Sequence, residues 1–180
     1  MFFFIIISLV ITQRIVEVFI AKRNEKKMLS LGAYEVGASH YPYMVALHIS
    51  FFVCLIAEVL VFNRIISPVA PLFLLLFIFA QVLRIWCLQS LGKFWNTKII
   101  ILPNANVVTK GPYLFMRHPN YVVVCVEIVL LPLMFQAYFT AVTFTLLNLA
   151  MLSVRIPLEE KSLMEATNYS TEIKKKISAS

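Results

Sequence analysis

Two short polar stretches interrupt an otherwise greasy chain, and both carry residues able to do chemistry. The first, Gly111-Pro112-Tyr113-Leu114-Phe115-Met116-Arg117-His118-Pro119-Asn120-Tyr121, leads into a hydrophobic run. The second, Arg155-Ile156-Pro157-Leu158-Glu159-Glu160, closes the next one. A helix beginning at Pro119, a favoured first-turn residue, would present N–H groups and a positive dipole end suited to a carboxylate or phosphate. Arg117 and His118 add charge and donors to that anion site. The plainer alternative is that Arg117 anchors the helix to headgroups while His118 and Pro119 cap it. Arg155 and Glu159 are i,i+4 and share a helical face, with Pro157 between them expected to bend or delay the helix. They stand either at the mouth of a site roofed by the preceding connector or as a solvated surface pair.

Four further ionisable groups, Arg14, Glu58, Arg84 and Glu127, fall inside hydrophobic runs. Placing one in a bilayer costs at least ~2.5–3.5 kcal/mol, so each needs a partner or a wet cavity. At 1.5 Å per residue, Arg84 lies roughly 10 Å and Glu127 roughly 13 Å from the same-side ends of their runs. An ion pair between them is geometrically allowed, as a tie between helices or as the floor of a cofactor pocket. Glu58 falls near the opposite end and is expected to be structural.

These residues have to be positioned by membrane helices. Of 180 residues 61% are hydrophobic and 14% charged, against about 25% charged in a soluble domain, and the mean hydropathy is +0.85. The pattern predicts an all-α integral membrane protein, a single transmembrane domain over 1–180. Its five spans are expected at about 2–20, 43–62, 72–91, 119–131 and 138–154, with a polar tail over 155–180 that is helical at first. The first run lacks a basic leading region and a small-residue cleavage site, so it is read as a retained helix rather than a signal peptide. Gly92 is the natural stop of the third span. The connector 93–117 holds Lys98-Ile99-Ile100-Ile101-Leu102, too short to span, which leaves strand, re-entrant and interfacial readings open. Pro132 is expected to end the fourth helix.

Charge distribution orients the spans. Four Lys/Arg follow the first run, four lie in 93–117 and five lie from Arg155 onward, while Arg64 alone falls in a loop on the other side. Five spans with the N-terminus outside and the C-terminus cytoplasmic place every basic loop on one face. The formal net charge of +7 therefore reads as headgroup contact with membrane lipid and not as a nucleic-acid footprint. Cys54, Cys87 and Cys125 lie apart inside apolar runs, which excludes a disulfide framework or a zinc site.

Gly-Pro-Tyr-x-x-x-Arg-His-Pro-x-Tyr, an intramembrane Glu127, and Arg-x-x-x-Glu-Glu-x-x-Leu together resemble the isoprenylcysteine carboxyl methyltransferase family, most closely its small bacterial members. The similarity extends upstream to Gly32-Ala33-Tyr34-Glu35-Val36-Gly37, to His40-Tyr41-Pro42 and His48, and to Leu91-Gly92-Lys93-Phe94-Trp95-Asn96-Thr97, so it covers about residues 22–170. The resemblance implies an S-adenosylmethionine-dependent O-methyltransferase in the bacterial cell membrane. Its lipophilic small-molecule acceptor, a carboxylate or acidic enol, would reach a cytoplasmic-side pocket from the bilayer. It places Tyr113, His118, Pro119 and Tyr121 at the cofactor and Arg155 with Glu159 at the reacting end; Arg117, from the anion site, and Glu127, as pocket floor, are expected to join the cofactor residues. Bacterial members that methylate long-chain alkylpyrones make such a pyrone the expected acceptor. Val123 departs from the Gly common in eukaryotic members. A membrane reductase with a nicotinamide cofactor, or a non-catalytic lipid-binding protein, remains open as an alternative.

Overall fold

The structure is a computed structural model that describes residues 1–172; the Lys174-Lys175-Lys176 cluster of the expected tail lies outside the described residues. In order, the chain forms α1 (Phe2–Ser30), β1 (Tyr34–Val36), α2 (Tyr41–Val61), α3 (Ala70–Leu91), a 3-10 turn (Gly92–Phe94) and β2 (Ile99–Ile101). A second 3-10 turn (Gly111–Leu114), α4 (Pro119–Met134) and α5 (Tyr138–Ala166) complete it. Helices α1, α2, α3 and α5 are long and apolar enough to cross a membrane. The 16 residues of α4 rise about 24 Å, less than the ~30 Å hydrocarbon core. The molecule is an all-α integral membrane protein, with four long helices and a shorter apolar one among the described residues. Its lipid-facing surface is apolar, with Leu9, Phe19, Val53, Phe79 and Leu146 all at least 60% exposed.

Three helix ends differ from the sequence expectation, each for a local reason. The first helix does not stop near residue 20 but continues to Ser30 through the basic cluster. Ala-Lys-Arg-Asn-Glu-Lys-Lys contains no breaker, and the true stop is Gly32, at φ +90°. The Gly32 amide bonds the Leu29 carbonyl and the Ala33 amide bonds the Met28 carbonyl, the Schellman closure. Pro132 lies inside α4, and the helix runs on to Met134. It closes the same way on Gln136 (φ +55°), whose amide bonds Leu133 while that of Ala137 bonds Pro132. Pro157 is likewise interior to α5, which continues to Ala166.

Contacts sort the chain into two units. One comprises Met1–Ala38, Leu91–Thr109 and the chain from Pro157. Here β1 and β2 pair antiparallel, Glu35 opposite Ile100, so the Lys98–Leu102 piece contains a strand. Asn24 Nδ2 donates to the carbonyls of Gly92 (3.0 Å) and Trp95 (2.8 Å). Lys98 Nζ sits 2.9 Å from both Glu25 Oε1 and Glu35 Oε2. Those two carboxylates hold the Lys98 ammonium well above the ordinary lysine range.

The other unit comprises Ser39–Ser90 and Lys110–Ile156. Leu55, Leu131, Met134 and Phe135 are fully buried in it, and the Phe51 and Phe144 rings meet edge-on at 5.5 Å. Glu58, 5% exposed, accepts from the Phe139 amide (3.2 Å), the Thr140 amide (2.7 Å) and Thr140 Oγ1 (2.7 Å). Arg64 Nη2 lies 3.4 Å away. The carboxylate thus satisfies first-turn donors of α5, where a negative charge is favoured by the helix dipole.

Candidate functional site

The second unit contains the first polar motif and Arg155. Gly111 has φ +58°, and a side chain there would collide with Ser90 Oγ and Trp86 Nε1 of α3. Only glycine lets the backbone come this close in this conformation. Pro112 is fully buried, and the Tyr113 hydroxyl hydrogen-bonds the Cys87 thiol on α3. The Gly-Pro-Tyr triplet therefore pins the connector to α3 just before α4 begins.

His118 is the residue preceding α4, and Pro119 opens the helix. His118 and Tyr121, three residues apart and so on one side of the helical turn, stack with ring centroids 5.3 Å apart. The Tyr121 hydroxyl accepts a hydrogen bond from Arg155 Nε at 2.8 Å, and the guanidinium lies 5.9 Å from the Tyr121 ring centroid. Arg155 is 5% exposed. His118, Tyr121 and Arg155 thus form one contiguous polar chain. A desolvated cation held at both its charge and its aromatic neighbour is a positioned donor, not a loose surface group.

The first turn of α4 offers fewer amides than the sequence implies. Pro119 has no N–H, and the amides of Tyr121 and Val122 both bond the His118 carbonyl (3.1 and 3.4 Å). Side chains must do most of any anion binding here. Asn120, which sequence reasoning passed over, contributes the opposite polarity: its Oδ1 is a buried acceptor without a hydrogen-bond partner. An orphaned acceptor of this kind costs roughly 1–3 kcal/mol unless something donates to it.

The remaining expected residues lie as follows. Glu127, six residues further along α4 at a rise of about 9 Å from Tyr121, takes Arg84 Nε at 3.1 Å and a second, shorter bond from Arg84 Nη2. Gln81 Nε2 also donates to it at 2.6 Å. Gln81 was absent from the sequence reading, although its i,i+3 spacing from Arg84 is a signal. Arg84 is 3% and Glu127 8% exposed, so the pair is a buried, mutually neutralised tie. Arg117 is exposed. Glu159 is half-buried on α5, and because that helix is continuous it keeps one-turn spacing from Arg155. Val123 is 1% exposed, a packing position in α4. Among the described residues no group of three His, Cys, Asp or Glu is placed to hold a metal.

Apolar helices long enough to cross a bilayer, with a buried Arg155 bonded to the first turn of a short fourth helix, define a polytopic membrane protein with a polar centre between α4 and α5. The chain belongs to the isoprenylcysteine carboxyl methyltransferase (ICMT) family, whose match covers residues 72–165. It is 47% identical over 163 residues to the uncharacterized protein YpbQ of Bacillus subtilis, covering 91% of this chain and 97% of that protein. Over 145 residues it is 29% identical to an uncharacterized protein of Haemophilus influenzae, covering 80% and 84%. No solved structure matches it. Membership implies a membrane methyltransferase, in a family that acts on lipophilic substrates.

Proposed function

We propose that this protein is an S-adenosylmethionine-dependent O-methyltransferase that modifies a lipophilic small molecule at the inner leaflet of a bacterial cell membrane. The observation that carries the reading is the buried Arg155 joined to half-buried Tyr121 and His118. The residues present suit the cofactor. Its amino group and adenine amine are donors, and Asn120 Oδ1 is a buried acceptor in want of one. Tyr113, Arg117, His118, Pro119 and Tyr121 are the proposed cofactor side, His118 and Arg117 taking the carboxylate, with Glu127, tied to Arg84, as the pocket floor.

When bound, the cofactor supplies an electrophilic methyl group on a sulfonium sulfur. Arg155 orients the acceptor oxygen: a guanidinium has five N–H donors, enough to hold Tyr121 and an oxyanion together. Tyr121 fixes the plane of Arg155, and Glu159, one turn along, sets its charge balance. Burial of Arg155 excludes water from the oxyanion's partner, so positioning and desolvation supply the rate. No general base is needed, because a carboxylic acid or acidic enol is ionised near neutral pH. A hydrophobic small molecule is preferred over a prenylated protein, and a long-chain alkylpyrone is the first acceptor to test. The basic loops set the orientation, with the C-terminus cytoplasmic.

Membranes carrying the protein, incubated with methyl-labelled S-adenosylmethionine, are expected to put label into the lipid extract. Arg155→Ala or Glu159→Ala should abolish it at normal expression. Label confined to protein would move the acceptor class. Binding of reduced nicotinamide dinucleotide in place of S-adenosylmethionine would replace the reading with a reductase, and binding of neither would make the protein non-catalytic.

A further inference from the structure

The end of the second 3-10 turn and the residues leading from it to α4 carry three consecutive large apolar side chains that point outward. Leu114 is 53%, Phe115 78% and Met116 39% exposed. They lie outside every helix that spans. In water such a cluster would be a liability; apolar patches left uncovered mark a surface that meets protein or membrane. Their outward direction is forced by their neighbours. Gly111 lies against Ser90 and Trp86, Pro112 is buried, and Tyr113 is bonded to Cys87. The amides of Phe115 and Met116 both bond the Pro112 carbonyl, which turns the next three side chains away from α3.

The anchoring residues also give the depth. Cys87 and Ser90 belong to the last turns of α3, which ends at Leu91. At 1.5 Å per residue Cys87 lies only about 6 Å from that end. The turn therefore runs alongside the terminal turns of a spanning helix and not above them. Lys110 and Arg117, both exposed, bracket the apolar triplet. Apolar side chains flanked by cations at that depth match the headgroup–acyl boundary of an anionic bilayer.

We infer that Leu114-Phe115-Met116 is a membrane-inserted lip, seated among the acyl chains of anionic phospholipid, with Lys110 on the headgroups. The lip ends two residues before His118, so the polar chain at α4 opens at lipid depth. The inference does not depend on methyl transfer.

The test replaces Phe115 by the photo-crosslinker p-benzoylphenylalanine, which preserves an aromatic side chain, in the full chain. The protein is reconstituted into vesicles of three parts phosphatidylcholine to one part phosphatidylglycerol, with the same label at Lys161, an exposed position on α5, as the comparison. Position 115 should yield acyl-chain adducts well above position 161; equal yields would overturn insertion. Lys110→Glu in the same background should lower the phosphatidylglycerol share of adducts about fivefold. An unchanged share would overturn the anionic-lipid assignment.

Discussion

Tyr121→Phe removes one oxygen and leaves a ring in place, which makes it a clean cut through the polar chain. The lost atom accepts from Arg155 Nε at 2.8 Å, and Arg155 is 5% exposed, so water has little room to replace it. A hydrogen bond involving a charged group is worth about 1.5–3 kcal/mol. If that free energy serves to hold the guanidinium against the acceptor oxygen, at about 1.4 kcal/mol per tenfold the variant loses roughly ten- to hundredfold in turnover. The stack on His118, at 5.3 Å, uses only the ring and survives, so S-adenosylmethionine affinity should change by less than about threefold. The assay pairs the initial rate of label transfer into lipid with calorimetric titration of the cofactor. Tyr121→Ala removes the stack too and should weaken both. A Phe variant with wild-type turnover would show that the Arg155–Tyr121 bond plays no part in orienting the acceptor.

Other perturbations read the scaffold. Gly111→Ala places a Cβ against Ser90 Oγ and Trp86 Nε1 at φ +58° and should cost about 2–4 kcal/mol of stability; adding Ser90→Ala should recover only the steric part, as seen by thermal unfolding in detergent. Glu127→Ala leaves Arg84 buried and unpaired and should cost about 3–5 kcal/mol, whereas Arg84→Met combined with Glu127→Leu should cost far less, because both charges then leave together. Lys98→Met should lower stability by about 1 kcal/mol. Since Glu25 and Glu35 raise the Lys98 pKa above its ordinary 10.5, that contribution is complete below 10.5 and fades only as pH climbs through the raised value. The wild-type–variant difference should hence be flat across neutral and mildly alkaline pH.

What the sequence could show was local or periodic. Helical rise alone brought Arg84 and Glu127 to matching depth, and the structure joins them. Hydropathy located the long helices. Where the reading stopped short, the deciding contact was remote or the local signal was misweighted. Lys22 to Lys27 resembled a loop because charge was read as the end of the helix, when only the end of the lipid was being marked; Gly32 carried the stop. Pro132 was expected to end α4 and Pro157 to bend or delay α5, yet α4 closes on Gln136 and α5 continues through Pro157. The β1–β2 pairing joins three-residue segments about 65 positions apart, too short for periodicity to detect. Tyr121 as the partner of Arg155 depends on the axial register of two helices, which no local pattern encodes.

Glu58 gives that register a cause. It grips Phe139 and Thr140 at the beginning of α5, and Arg155 follows Thr140 by 15 residues, a rise of about 22 Å. Sliding α5 by one residue would swing Arg155 through about 100° and carry its guanidinium off the Tyr121 hydroxyl. An acid remote from the polar chain therefore works as the detent that indexes the helix. Substitutions at Glu58 would mimic damage at Arg155, so a screen scored on turnover alone would misfile a mechanical part as a chemical one.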